Sequence, residues 1–149
     1  MNFERKLSFL LVDDSRVDLK MFSKLLELSG VASSVATFIS STEALAFFKR
    51  ARFGEEKMPE VLIVDLQMPE LNGFQLLDEI MALGPSLMAS TRTLMLSSSL
   101  APSDHQLALE HPLIEVLLQK PLNIEQLKTI LAGPAISTDL KVPIRRESR

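Results

Sequence analysis

The sequence contains no cysteine, no tryptophan and no tyrosine, and it has only two histidines. Without cysteine the chain has neither a disulfide framework nor a thiolate metal site, which fits a reducing cytoplasm. His105 and His111 are too few and too far apart to indicate a histidine metal cluster. No apolar run approaches the roughly 20 residues of a membrane span, and acids at positions 13 and 14 come too early for a secretory signal. We therefore expect a cytoplasmic protein that does not insert into membranes.

Length and charge indicate one acidic domain. The chain has 149 residues, enough for a single domain with a sizeable core. Its formal net charge is −3, which makes it a poor nucleic-acid binder, and we expect no nucleic-acid partner. Residues 133–149 hold four basic and two acidic side chains. Because Gly133 and Pro134 end the last helical pattern, we expect a folded domain over residues 1–132 and a flexible basic tail over residues 133–149.

Five short apolar runs alternate with five helical patterns. The runs are typical of strands and cover Leu7–Val12, Ser34–Ile39, Val61–Val64, Thr93–Leu96 and Ile114–Leu118. The helical patterns cover Ser15–Ser29, Ala44–Arg52 after a capping box at Ser40 and Glu43, Phe74–Leu83, Pro102–Glu110 and Asn123–Leu131. Because parallel strands need crossover connections, the alternation predicts a five-stranded parallel sheet with helices on both faces, a doubly wound α/β fold.

The first helical pattern rests on four apolar residues at intervals of three and four: Val17, Met21, Leu25 and Leu28. The two histidines are placed on or near an exposed helix, and no role is assigned to them.

A charged or hydroxyl-bearing residue follows four of the five apolar runs. Asp13 and Asp14 follow the first run, Asp65 the third, Ser97 the fourth, and Lys120 the fifth. The carboxyl ends of parallel strands meet at one edge of the sheet, and ligands bind in the crevice outside that edge. Taken singly, the paired acids could cap a helix and Asp65 could open a turn. Their joint placement indicates a functional site.

The chemistry of the site follows from its charges. Three clustered carboxylates raise one another's pKa unless a cation neutralises them, and Mg²⁺ prefers such oxygen ligands. Lys120 is suited to an anion such as phosphate, and Ser97 can donate to a phosphate oxygen. Asp65, at the end of the central strand, is then the natural nucleophile for a phosphoryl group, giving an aspartyl-phosphate.

These residues resemble the receiver domain of two-component response regulators. The resemblance covers residues 5–132 and rests on Asp13-Asp14, Asp65 with Met68-Pro69 and Asn72-Gly73, Ser97, and Lys120-Pro121. It implies a flavodoxin-like sheet in strand order 2-1-3-4-5. It also implies that a histidine kinase or histidine phosphotransfer protein transfers a phosphoryl group to Asp65 in a Mg²⁺-dependent reaction.

The resemblance also assigns roles to the other residues of the site. It implies that Asp14 binds Mg²⁺ directly, Asp13 largely through water, and Gln67 through its backbone carbonyl. Ser97 would be the switch hydroxyl, and Lys120 would contact the phosphoryl group and precede a cis Pro121. We expect a stand-alone regulator, monomeric or dimerising on phosphorylation, that binds its target through the fourth helix, fifth strand and fifth helix. No enzymatic activity is expected beyond self-phosphorylation and autodephosphorylation.

Alternative functions remain open at this point. Receivers usually carry Tyr or Phe three residues before the lysine, whereas this chain has Leu117, so a degenerate receiver that serves only as an interaction scaffold is the main alternative. A phosphatase with an aspartyl nucleophile would need a second Asp where Gln67 stands. A flavin protein of the same fold would need a first loop that cradles phosphate, and Asp13-Asp14 would repel one.

Overall fold

Strands and helices alternate along the chain, as the apolar runs predict. The computed structural model describes residues 5–99 and 101–136. The strands are β1 (Leu7–Val12), β2 (Ala32–Phe38), β3 (Val61–Asp65), β4 (Arg92–Ser97) and β5 (Ile114–Gln119). The helices are α1 (Arg16–Ser29), α2 (Ser41–Arg52), α3 (Gly73–Met81), α4 (Pro102–Glu110) and α5 (Ile124–Ala132). None of these helices is long and apolar enough to cross a membrane.

The five strands are parallel and lie in the order β2-β1-β3-β4-β5, which confirms the predicted fold. β3 is central, and all five of its residues are buried. Alternate residues of a strand face opposite sides of a sheet, so Leu62 and Val64 join one hydrophobic cluster and Val61 and Ile63 join the other. Because β3 is packed on both faces, its last residue, Asp65, is held at a fixed position.

Side-chain caps determine where the helices next to this edge of the sheet begin. The Asp18 amide donates to the Ser15 hydroxyl at the start of α1. At the start of α3, Asn72 and Gln75 form a reciprocal capping box. Each cap satisfies amide groups that a helix start leaves without partners. Since α1 follows β1 directly and α3 follows the loop after β3, the caps fix the two loops that border the predicted site.

The predicted apolar face of α1 is not the face that packs on the sheet. The helix buries a different set: Leu19, Phe22 and Leu26. The residues that carried the prediction are exposed: Val17, Met21, Leu25 and Leu28. The helix has two apolar stripes, and the spacing of three and four fits both. The sheet takes the stripe that carries Phe22, which is almost completely buried.

His111, expected on or near an exposed helix, lies beside α4 but is not itself exposed. His111 follows α4 and is buried, and its Nε2 lies 2.9 Å from a carboxylate oxygen of Asp78 on α3. Its ring also stacks on Phe74, with ring centroids 6.5 Å apart. A ring with an apolar face and polar nitrogens can fill the space between α3 and the start of β5, which a helical pattern alone does not reveal.

An ion pair at the opposite edge of the sheet anchors the end of α5. Arg92, the first residue of β4, makes two 2.8 Å hydrogen bonds to the buried carboxylate of Glu115. The same guanidinium donates to three backbone carbonyls at and just after the end of α5, those of Ile130, Leu131 and Gly133. The Ile136 amide also donates to Glu115. Residues 133–136, the start of the predicted tail, are therefore bonded near the amino ends of β4 and β5; from residue 137 the tail lies outside the described residues.

Candidate functional site

The polar residues predicted to converge do so at the carboxyl edge of the sheet. Asp13 follows β1, Asp65 ends β3, Ser97 ends β4 and Lys120 follows β5. Carboxylate oxygens of Asp13, Asp14 and Asp65 lie within 4.8 Å of one another. The side chains of Asp13 and Asp65 are buried, whereas Asp14 is exposed. The arrangement is a crevice whose floor is acidic and whose outer side is open.

The loop after β3 is held tightly against Asp65. The Leu66 amide donates to the Leu96 carbonyl, and the Gly73 amide donates to the Leu66 carbonyl, both at 2.8 Å. A Cβ at position 73 would lie 2.7 Å from the Asp65 carbonyl oxygen and 2.8 Å from Met95 Cε. Such distances are steric clashes, so this close approach of the chain to Asp65 requires glycine.

Ser41 fixes the same loop from the side of α2. Its hydroxyl donates to the Pro69 carbonyl at 3.2 Å and accepts from the Leu71 amide at 3.3 Å. Between these two residues Glu70 has a φ of 69°, a left-handed conformation that is unfavourable for a residue with a Cβ. Gln67, the predicted carbonyl ligand, lies in this loop and is exposed.

Lys120 links four elements of the fold through its ammonium group. Its Nζ lies 2.8 Å from Asp13 Oδ2, 2.8 Å from Asp18 Oδ2 and 3.3 Å from Asp65 Oδ1. Its amide donates to the Ser97 carbonyl at 2.8 Å, and the following peptide bond to Pro121 is cis, as the resemblance implies. The side chain is only 14% exposed. The ammonium therefore pairs with three carboxylates at once.

Sequence reasoning missed Asp18. It lies in the first turn of α1, where an acid is ordinarily explained by the positive end of the helix dipole. Nothing in the spacing connects it with a lysine 102 residues later. Only the tertiary packing of α1 at the carboxyl edge of the sheet brings the two together.

The electrostatics of the crevice show an excess of negative charge. Burial, together with the charges of Asp13 and Asp14, raises the pKa of Asp65 to about 7, although Lys120 acts in the opposite direction. Burial also raises the pKa of Asp13, against the hydrogen bonds from Lys120 and from the Ser15 amide. Burial lowers the pKa of Lys120, but hydrogen bonds to Asp13 and Asp18 and the charges of Asp13 and Asp65 outweigh it, so the net shift is upward. One ammonium does not neutralise these acids.

Ser97 is fully buried, and its own loop occupies its hydroxyl. The hydroxyl donates to the Ser99 carbonyl at 2.5 Å and accepts from the Ser99 amide at 3.2 Å. Leu117, which stands where receivers usually have an aromatic ring, is buried in the hydrophobic cluster that contains Leu62. The Ser97 hydroxyl and the Leu117 side chain are thus both turned into the protein.

The donor set fits a hard divalent cation. Carboxylate oxygens at this spacing are the ligands that Mg²⁺ takes in proteins, and the exposed Asp14 leaves room for waters and phosphate oxygens. Burial, and after it the charges of Asp13 and Asp14, raise the pKa of Asp65. A dication would offset the part that comes from these charges.

Residues 9–132 match the family model of the response regulator receiver domain. A curated relative, the two-component response regulator ORR1 of Oryza sativa subsp. japonica, is 38% identical over 78 residues, which are 51% of this chain and 34% of that protein. The chain therefore spans about a third of the length of that relative.

Solved structures share the fold. A response regulator receiver protein from Dyadobacter fermentans is 36% identical, with a TM-score of 0.74 over 83% of this chain and 94% of that one. The receiver domain of the histidine kinase CKI1 from Arabidopsis thaliana, crystallised with Mg²⁺, superposes with a TM-score of 0.70 over 85% of this chain and 90% of that one, at 23% identity.

Receiver domains are signalling domains that bind Mg²⁺ at an acidic pocket and interact with histidine kinases or phosphotransfer proteins. The acids Asp13, Asp14 and Asp65 form such a group at the carboxyl edge of this sheet. With a match that covers all ten elements but the first two residues of β1, the chain belongs to the response regulator receiver domain family of two-component systems.

Proposed function

We propose that the protein is a phosphorylation-controlled regulator whose acceptor is Asp65. The observation that carries the proposal is a carboxylate only 5% exposed at the end of the central strand, beside two further acids and a lysine. In the transfer a carboxylate oxygen of Asp65 forms the new P–O bond. The P–N bond of a phosphohistidine on a histidine kinase or phosphotransfer protein breaks, and the imidazole keeps the electron pair.

The acids around Asp65 would hold Mg²⁺. Asp14 and Asp65 are suited to bind it directly, Asp13 largely through water, and Gln67 through its backbone carbonyl. When bound, the ion neutralises charge on the oxygens of the transferring group. Lys120 supplies the remaining positive charge, and Ser97 would donate to a phosphoryl oxygen after its hydroxyl leaves the Ser99 carbonyl.

The exposed stripe of α1 is a candidate docking surface for the phosphodonor protein. The stripe consists of Val17, Met21, Leu25 and Leu28, all exposed. α1 begins three residues after Asp13, so the stripe runs outward from the crevice. A protein that presents its phosphohistidine to Asp65 must cover this edge of the sheet. Four apolar side chains at helical spacing beside it fit the apolar face of a partner helix.

The output surface is placed on α4, β5 and α5. α4 is weakly anchored: its N-cap, Ala101, makes no side-chain hydrogen bond, and only Ala108 and Leu109 of its nine residues are buried. Ser97 ends β4, and Ser99 lies three residues before α4, so a change of partner at the Ser97 hydroxyl would be transmitted to this helix. With Leu117 in place of a ring, the switch would work through this backbone movement, in a monomer or a dimer formed on phosphorylation.

The alternative is a degenerate receiver that binds partners as a scaffold without being phosphorylated. The complete acidic site with its lysine favours the phosphoacceptor. The buried aliphatic Leu117, in place of the usual aromatic ring, favours the scaffold. Labelling of the protein distinguishes the two.

Replacement of Asp65 by Asn should abolish phosphorylation. Wild-type protein incubated with acetyl phosphate and Mg²⁺ is expected to gain one phosphoryl group by mass spectrometry, because the small donor needs no docking surface. The control Asp104→Asn removes a comparable carboxylate on α4 and should label normally. Persistent labelling of Asp65→Asn contradicts the acceptor assignment, and an unlabelled wild type favours the scaffold.

The Mg²⁺-free protein should become less stable as the pH rises from about 5 to about 8. The pKa of Asp65 is about 7 in the fold, against an ordinary 3.8, so the folded state binds a proton in this window that the unfolded state has lost. Stability is therefore highest at the acidic end and falls by roughly 1–3 kcal/mol while only the unfolded state has lost the proton. It levels off above about pH 7, where Asp65 is ionised in both states.

Urea denaturation across this pH range measures the effect. Asp65→Asn should remove most of the slope, and saturating Mg²⁺ should stabilise the protein most at pH 8, where the ion meets no competing proton. A slope that is the same in wild type and Asp65→Asn would contradict the raised pKa.

Charges on the α1 stripe should slow transfer from a protein donor without affecting the small donor. For Met21→Glu with Leu25→Glu we expect at least a roughly tenfold slower transfer from a phosphorylated histidine phosphotransfer protein, because apolar contacts are replaced by buried charge. Labelling by acetyl phosphate should be unchanged. Leu107→Glu on α4 is the matched control, since that side chain is also exposed. Equal slowing by the control would remove the stripe from the interface.

Beryllofluoride, a mimic of the phosphoryl group, should alter α4, β5 and α5. With Mg²⁺ present, amide NMR shifts are expected to change most in the site loops and in residues 99–131, with α2 as the internal reference. Changes confined to the site loops would show that phosphorylation does not reach the proposed output surface.

A further inference from the structure

Lys120 has a partner that the phosphoryl-transfer chemistry does not require. Its Nζ lies 2.8 Å from Asp18 Oδ2, as close as to Asp13 and closer than its 3.3 Å from Asp65. Resting on the proposed acceptor role of Asp65, we propose that Asp18 is a positioning residue that restrains Lys120 on the α1 side of the crevice. It thereby weakens the contact between the Lys120 ammonium and a phosphoryl group on Asp65.

The fold holds Asp18 in place for this contact. Its amide donates to Ser15 Oγ, which caps α1, and the neighbouring Leu19 is buried against the sheet. The positive end of the α1 dipole favours a negative charge in this first turn. Neither ion-pair partner is freely solvated, because the Asp18 side chain is 25% exposed and that of Lys120 is 14% exposed. Solvent therefore screens this pair less than one between fully exposed side chains.

An ammonium has three hydrogens, and the Lys120 ammonium lies within ion-pair distance of three carboxylates. A phosphoryl group on Asp65 would replace one carboxylate charge by about two, so the ammonium must shift toward Asp65 and loosen its contact with Asp18. The Asp18 carboxylate also repels the incoming anion. Both effects act in the same direction: Asp18 lowers the affinity of the crevice for a phosphoryl group.

Three variants separate this role from a general effect of charge. Asp18→Asn keeps the shape and one oxygen acceptor but removes the charge. Asp18→Glu restores the charge with one more methylene. Glu43→Gln is the matched control, because Glu43 is an exposed acid in the first turn of α2 and the ion pairs of Lys120 are with Asp13, Asp18 and Asp65.

Beryllofluoride affinity at saturating Mg²⁺ is the first measurement. Calorimetry or amide NMR is suitable, since the chain has no tryptophan or tyrosine as a fluorescent reporter. Asp18→Asn should bind about three- to tenfold more tightly than wild type, the value of one partly desolvated ion pair. Asp18→Glu should return to within about twofold of wild type, and Glu43→Gln should match wild type. Equal affinities of Asp18→Asn and Glu43→Gln, or weaker binding by Asp18→Asn, would overturn the proposal.

Modification of the lysine provides a second readout in the absence of Mg²⁺. The rate of reductive methylation of Lys120, followed by peptide mass spectrometry, should rise in Asp18→Asn and not in Glu43→Gln, because the amine loses an ion pair and a shielding group. An unchanged rate contradicts the restraint. A wild type that binds no beryllofluoride would refute the acceptor role of Asp65, whereas the methylation rates still test the Asp18 contact.

Discussion

The contact of one buried ammonium with several carboxylates is the constraint on which this site depends. Lys120 lies within ion-pair distance of Asp13, Asp18 and Asp65, and Asp14 completes the acidic group. Four acids against one lysine leave the crevice short of positive charge, and burial makes the deficit costly. Burial together with this deficit raises the pKa of Asp65 to about 7. The deficit also favours the binding of a divalent cation. The packed strands β1, β3 and β5 end at or just before Asp13, Asp65 and Lys120 and so hold these residues close together.

Much of this site could be predicted because a parallel sheet gathers its strand ends. The five residues that reasoning from the sequence placed at the crevice, Asp13, Asp14, Asp65, Ser97 and Lys120, each follow or end an apolar run, and strand ends are the most visible boundaries in a sequence. Once the runs are assigned to parallel strands, topology places these residues together without knowledge of any contact. The strand order, by contrast, came only from the family resemblance. Periodicity shows which segments are strands, but it does not specify which strands are neighbours.

What could not be predicted depends on tertiary register rather than on pattern. The repeat of Val17 and Met21 fits an amphipathic helix as well as the repeat of Leu19 and Phe22, and only packing against the sheet selects between them. Asp18 satisfies a helix-start rule on its own, so its contact with Lys120 leaves no trace in the sequence. The hydroxyl of Ser97 was assigned to the site by position, but its hydrogen bonds to Ser99 depend on the local turn.

The same packing bears on how a switch could operate without an aromatic ring. Leu117 is already buried, so it has no exposed position to leave when Ser97 changes partner. Under the proposed switch, the element that responds would then be α4, which buries only two residues and lacks a side-chain cap. β3, by contrast, is packed on both faces, so its backbone is held in place. When a rigid acceptor strand lies beside a weakly packed helix, a change in hydrogen bonding at the crevice displaces the helix rather than the strand.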